Sequence, residues 1–229
     1  MHSRRTSEDM KVTQLKPIEE YAKEQMTKLG LYGWPHVERV LRLCMQISKV
    51  EKEQVDRDVL EVAALLHDVA KYLEKENNAL DHGDTGADMA EGFLDSIGFN
   101  EDKAESVCHA IRVHTHGEEP HSVEARILHD ADLLDKTGCV GIASIFIKAC
   151  LTNTTIEETA KFWRKRSKAS YVARHIRWLK EPQFYTETAR NLARERNQIV
   201  HAFFKQLEEE IRLKDFLRGS SQLRTGAPS

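Results

Sequence analysis

His67 and Asp68 stand side by side within Val62-Ala63-Ala64-Leu65-Leu66-His67-Asp68-Val69-Ala70, apolar before and after, as in a helix buried all round. An imidazole and a carboxylate placed there lose their hydration, and an unpaired buried carboxylate is very costly. A salt bridge or a metal ion offsets that cost. Partners elsewhere in the chain favour the metal: His36 precedes the pair, and His82, His114 and Asp132 follow it. Neutral imidazoles with carboxylates suit Mn, Fe, Co, Ni or Zn better than Ca. Residue types do not choose among those five.

Each candidate needs an element that aims it inward, and helical periodicity supplies one. His36 falls in the first turn of a helix predicted over Pro35 to Lys49, in line with Val40 and Leu43. The central pair belongs to a helix predicted from Asp58 to Glu74. His82 begins a row with Gly86, Met89 and Phe93, on a helix ending at Gly98. Asn100 caps the next helix, whose stripe Ala104, Val107, Ile111 is continued by His114. Asp132 follows Leu128 by four residues on a segment capped by Ser122, with Ile127, Leu128, Ala131 and Leu134 on its core side. A lone histidine at the end of an apolar face is usually just a hydrogen-bonded core residue. His109, His116, His121 and His129 are also present, and Asp130 and Asp135 compete with Asp132, so spacing alone leaves the ligand set open.

The remaining elements are also helical. A helix is predicted from Pro17 to Leu29, a short apolar one from Cys139 to Leu151, a basic one opened by the capping box Thr155-Ile156-Glu157-Glu158, and a last one from Thr186 to Leu217. Few stretches alternate with period two, and aromatics are only 7%. The expected fold is therefore all-α: a single domain over 16–217 with 151–217 as an added helical lobe, between flexible tails at 1–15 and 218–229.

The bulk composition excludes several classes. The chain has 229 residues, ample for a core, and its net charge of -3 argues against a protein that coats long nucleic acid. No apolar stretch approaches the ~20 residues that span a bilayer, and no signal-peptide pattern opens the chain. Cys44, Cys108, Cys139 and Cys150 form no C-x-x-C pair, and three of the four lie among apolar neighbours, as reduced core thiols do. A reducing cytoplasm is the expected setting.

The words Gly33-Trp34-Pro35-His36-Val37-Glu38-Arg39-Val40, His67-Asp68-Val69-Ala70-Lys71 and Ile127-Leu128-His129-Asp130-Ala131-Asp132-Leu133-Leu134-Asp135 resemble the signature of the HD-domain superfamily of metal-dependent phosphohydrolases. Gly138-Cys139-Val140-Gly141-Ile142 and the stretch Thr188 to Arg196 resemble its small stand-alone bacterial and archaeal branch, so the likeness runs over about residues 20–210. Many members carry Gly before the Lys of this motif where this chain has Ala70, a mild change. The resemblance implies an HD-type helical bundle with additional C-terminal helices. It also implies that His36, His67, Asp68 and Asp132 hold one divalent ion. His82 and His114 match positions that bind a second ion in two-metal members, or a phosphate.

A divalent ion lowers the pKa of a bound water and polarises a phosphoryl oxygen. Asp68 is placed to ligate and to orient that water. Lys71, one turn after Asp68, is a candidate for a substrate phosphate, or simply for pairing with Asp68. Arg39, one turn after His36, is a second candidate clamp or a plain surface residue. The basic run Lys161, Arg164, Lys165, Arg166, Lys168, Arg174, Arg177 and Lys180 reads first as a solvated helix face. The function these readings support is a phosphohydrolase acting on a nucleotide or another small phosphorylated metabolite. The alternatives are a di-iron HD-type oxygenase and a non-catalytic ligand-binding sensor. The amphipathic C-terminal helices could join two copies as a homodimer. Base, sugar and phosphate number of a substrate are not legible.

Overall fold

Asp56, Asp81 and Asn100 each turn a side-chain oxygen onto the backbone N–H groups that open a helix, at Asp58 and Val59, at Gly83 and Asp84, and at Lys103. Thr155 and Glu158 exchange side-chain to backbone bonds, the reciprocal capping box read from the sequence. Pro35 sits in a first turn and Gly98 takes φ +64° just past a helix end, as expected. A computed structural model describes residues 7–77, 79–115, 119–164, 171–180, 183–214 and 216. Among these there is no strand, and the fold is all-α.

The helices are α1 (Ser7–Met26), α2 (Trp34–Ile47), α3 (Arg57–Leu66), α4 (Lys71–Glu76), α5 (His82–Ser96), α6 (Glu101–Val113), α7 (Val123–Asp135), α8 (Gly138–Leu151), α9 (Ile156–Arg164), α10 (Tyr171–Lys180) and α11 (Glu187–Ile211). α1 begins at Ser7, within a stretch where the sequence shows no periodicity, and Pro17 lies inside it. The expected tail residues 1–6 and 218–229, together with Lys165, Arg166, Lys168 and His116, lie outside the described residues.

The predicted helix from Asp58 to Glu74 is broken at the His-Asp pair. α3 stops at Leu66 and α4 starts at Lys71; between them Val69 N donates to Leu66 O and Lys71 N to Asp68 O, the tighter three-residue pattern. On a straight helix, neighbours one residue apart point about 100° away from each other. The tightened turn lets both face one centre.

Chain contacts divide the molecule into two compact units: residues up to Asp135 with Phe184–Arg190, and Lys136–Gln183 with the residues from Asn191. In the first, α2 packs on α3 and α7, α6 on α3, and α5 on α6. Val37, Val40, Leu60, Val62, Leu66, Leu94, Ile111, Ile127, Leu128 and Leu134 are buried between them. Fully burying such a side chain is worth roughly 1.5–3 kcal/mol, and this core must offset the polar groups placed among it. Asp130, fully buried on α7, accepts from the backbone N–H of Tyr185 and Thr186 and from the Thr186 hydroxyl, which ties Phe184–Arg190 to this unit.

The second unit has its own core of Ile142, Ile145, Trp163, Val172, Ile176, Leu179, Val200 and Phe204. Cys44 and Cys108 are buried, whereas Cys139 and Cys150 are exposed. Three core thiols were expected; Cys139 and Cys150 lie on the outward side of α8, where apolar sequence neighbours do not decide burial. No described helix is long and apolar enough to cross a membrane.

Candidate metal centre

The first unit brings His36, His67, Asp68, His82, His114 and Asp132 together and buries every one of them. His36 stands in the first turn of α2, His67 caps the end of α3, His82 opens α5, His114 caps the end of α6, and Asp132 lies in the last turn of α7. Helix ends dominate because a side chain there can point along the bundle interior while its backbone is already capped. Gly83 makes one such meeting possible. A Cβ at Gly83 would come within 2.8 Å of Arg112 O and 2.9 Å of Thr115 Oγ1, so only glycine lets the start of α5 press against the end of α6. His82 and His114 are thereby adjacent, with ring centroids 5.2 Å apart.

All four imidazoles are held the same way. His67 Nδ1 lies 2.8 Å from Ala64 O, His114 Nδ1 2.6 Å from Ile111 O, His36 Nδ1 2.7 Å from Asp135 Oδ2, and His82 Nδ1 3.1 Å from Glu74 Oε2. With an oxygen acceptor at Nδ1, that nitrogen carries the proton, and Nε2 is turned to the centre, where it could ligate an ion. His36 Nε2 is 3.2 Å from Asp132 Oδ1 and 3.5 Å from Asp68 Oδ2, and His67 Nε2 is 3.7 Å from Asp68 Oδ2. On the other carboxylate oxygen, Asp68 Oδ1 is 3.4 Å from His82 Nε2 and 3.6 Å from His114 Nε2. Two groups of ligand atoms result, His36 with His67 and Asp132, and Asp68 with His82 and His114, each gathered within 4.8 Å.

These residues fit a metal. Atoms each about 2.0–2.2 Å from one ion stand roughly 3.0–3.6 Å apart, close to the separations here. Asp68 Oδ2 and His114 Nε2 are buried and make no hydrogen bond among the described residues; a cation would satisfy both.

The electrostatics are those of a cation site. Burial, the largest influence, pushes the Asp68 carboxyl up, but the basic groups around it, Lys71, His114 and His36 among them, outweigh burial and hold it well below the usual carboxylate range. Burial, helped by the neighbouring His114 and His36 and opposed by Asp68 and Asp132, lowers His67 to about 4, so it is neutral. Burial also pushes His36 down, yet its bonds to Asp132, Asp135 and Asp68 prevail and raise it to about 10. A proton on His36 thus occupies the place that a metal ion would take.

The candidates outside the cluster have other partners. Lys71 Nζ lies 2.8 Å from His82 Nε2 and 3.1 Å from Glu74 Oε2. Arg39 directs Nε and Nη2 onto the two oxygens of Asp135, at 2.6 and 2.9 Å. Asp130 holds Thr186, His129 lies against Asp130 and Tyr185, and His109 stacks on His121. Glu74 is the one that sequence reasoning passed over, and Asp135 figured there only as a rival of Asp132. Both follow a candidate by one helical turn, Glu74 after Lys71 and Asp135 after Asp132, and that spacing is the signal that marks them.

The HD domain model matches residues 33–137, the segment that contributes every residue of the cluster. The uncharacterized protein YpgQ of Bacillus subtilis is 30% identical over 186 residues, which cover 79% of this chain and 84% of the relative. The chain belongs to the HD-domain superfamily. Solved HD relatives share its fold. YpgQ in complex with ADP has a TM-score of 0.62 at 27% identity, covering 86% of this chain and 98% of that one. A predicted HD superfamily hydrolase from an uncultured Thermotogales bacterium has a TM-score of 0.60 at 28% identity, with 86% and 92% covered. His67-Asp68 is this chain's HD pair.

Proposed function

We propose that this HD protein is a metal-dependent phosphohydrolase that cleaves a phosphate-ester or pyrophosphate bond of a nucleotide or similar small phosphorylated metabolite. The observation that carries this reading is the convergence of four imidazole Nε2 atoms on the carboxylates of Asp68 and Asp132 in a buried cluster. His36, His67, Asp68 and Asp132 would hold one divalent ion, with His82 and His114 beside Asp68 Oδ1 for a second ion or a phosphate oxygen. A divalent ion held there supplies a water of lowered pKa and an electrophile for a phosphoryl oxygen.

The chain's own residues supply the rest. Asp68 presents one oxygen to each half of the cluster and can accept a hydrogen bond from the attacking water. Lys71 reaches the rim, with its side chain 24% exposed, and can meet a substrate phosphate from the solvent side. The ADP complex of YpgQ supports a nucleotide as the ligand class here.

The test is metal analysis of the purified protein with a phosphate-release screen of nucleotides in Mn, Co, Ni or Mg. Release of phosphate or pyrophosphate, abolished in Asp68→Ala with helicity kept, is the expected result. Lys71→Met should raise KM roughly tenfold or more, since a charge-assisted hydrogen bond is worth about 1.5–3 kcal/mol. Two tightly held irons with dioxygen uptake and no phosphate release would replace the reading with an oxygenase. Nucleotide binding without turnover would replace it with a sensor.

A further inference from the structure

Two helices grip His36 through residues one turn apart. On α7, Asp132 and Asp135 are separated by three residues and share a face. Asp132 Oδ1 is 3.2 Å from His36 Nε2, and Asp135 Oδ2 is 2.7 Å from His36 Nδ1, so the ring is spanned between the two carboxylates. On α2, Arg39 follows His36 by the same spacing and reaches the same Asp135 with Nε and Nη2. Asp135 is 3% exposed and His36 1%. Asp135 therefore has one oxygen on the guanidinium alone and the other shared between guanidinium and imidazole.

The geometry points to Asp135 and Arg39 as a positioning pair for His36: Asp135 fixes the proton on Nδ1 and the ring plane, and Arg39 fixes Asp135. The inference rests on the metal reading above. His67 and His114 take their Nδ1 acceptors from the backbone of their own helices, three residues back, where the fold itself sets the distance. His36 instead takes its Nδ1 acceptor from a side chain on another helix, Asp135, so the placement of that side chain sets the distance. A carboxylate acceptor makes an imidazole a stronger donor to a cation than a carbonyl does, and loss of such a partner typically weakens metal affinity about 10–100-fold. Arg39 has a further consequence. With Arg39 on both of its oxygens, Asp135 is kept from turning into the cluster to compete with Asp132 as a ligand. The pair therefore also fixes which of Asp132 and Asp135 ligates.

Charge and position make opposite predictions for Arg39, and that opposition is the test. Removing a positive charge beside a cation site should by electrostatics alone tighten cation binding. Removing the group that holds Asp135 should loosen it. Manganese titration of the full chain by calorimetry, against wild type, reads the difference. Arg39→Met is expected to weaken manganese binding three-fold or more, and Asp135→Asn by about 10–100-fold. In a His36→Ala background the weakening should disappear for Arg39→Met and shrink to the small charge effect for Asp135→Asn.

Arg39→Met that binds manganese as tightly as wild type, or more tightly, overturns the positioning role. So does a full Asp135→Asn effect that persists without His36, because that effect would be charge alone. Should Asp135→Asn fail to fold, the sign of the Arg39→Met change still decides. Wild type that takes up no manganese sinks the metal reading itself, a result distinct from wild type that binds while the variants bind alike.

Discussion

His82 Nε2 stands 3.4 Å from Asp68 Oδ1, while Asp68 Oδ2 stands 3.5 Å from His36 Nε2. One carboxylate thus serves both halves of the cluster, but the halves are not equal. On the His36 side the histidine is pinned by a buried carboxylate that is itself pinned. On the His82 side the corresponding carboxylate, Glu74, is one-third exposed and shared with the Lys71 ammonium. His82 accordingly holds Glu74 down to about 2, with burial opposing and Lys71 assisting. A metal ion at the His82 half must displace or share space with that ammonium, so it should bind more weakly. His82→Ala is expected to abolish a weak second manganese phase while leaving the tight phase within a few-fold. If one substitution removed both phases equally, a single centre would explain the cluster better.

The shifts at His36 and His67 give metal-free protein a stability that falls on both sides of neutrality. His36 is raised from 6.5 to about 10 in the folded state by its carboxylate bonds. Its contribution is fully present below pH 6.5 and is lost as pH rises toward 10. His67, lowered to about 4 by burial, contributes fully above pH 6.5 and loses its contribution as pH falls toward 4. In EDTA the melting temperature should therefore decline from pH 6.5 to 10, and His36→Asn should flatten that limb. Metal uptake needs His36 neutral, so manganese binding below pH 10 should expel a proton. Calorimetry in two buffers of different ionisation enthalpy measures it, and no proton release at pH 7 would contradict the shift.

Asp130 provides a control two residues from Asp132. Its carboxylate accepts two backbone N–H groups and a hydroxyl in a fully buried place. Asp130→Ala leaves those donors unsatisfied and is expected to cost about 2–3 kcal/mol, lowering the melting temperature by roughly 4–12 °C. Its manganese affinity should stay within a few-fold of wild type. Asp132→Ala should do the reverse, losing manganese with a smaller change in melting temperature. Equal loss of metal in both variants would mean that Asp130 also shapes the cluster.

The residues of the cluster were legible in the sequence because each pairs a polar type with an apolar helix face: His114 on the stripe of Val107 and Ile111, Asp132 on that of Leu128. The caps at Asn100, Ser122 and Thr155 were legible because capping is local. The break between Leu66 and Lys71 was not, because Val69-Ala70-Lys71 carries no Pro or Gly to announce it, and the turn is imposed by packing around the His-Asp pair. For the same reason Lys71, placed by a straight helix beside Asp68, has its ammonium against His82 and Glu74 instead. Asp135 was visible only as a rival of Asp132, since its bond to a histidine 99 residues away is tertiary.

Thiol chemistry separates the cysteines by burial. Burial pushes the Cys44 thiol far up and the Cys108 thiol up to about 11, and both lie in the first unit's interior. The thiolate is the reacting species, so each is protected by access and by protonation together. Cys139 and Cys150 are exposed on α8. With an aromatic disulfide reagent at pH 8, native protein should release two equivalents quickly, and the other two only on unfolding. Cys44 also packs on the α2 face that carries His36, so its slow labelling should follow opening of the first unit. Adding manganese should slow that phase further, by the factor that ion binding stabilises the folded state. Rapid labelling of all four in native protein would mean that α2 opens far more readily than its buried face implies.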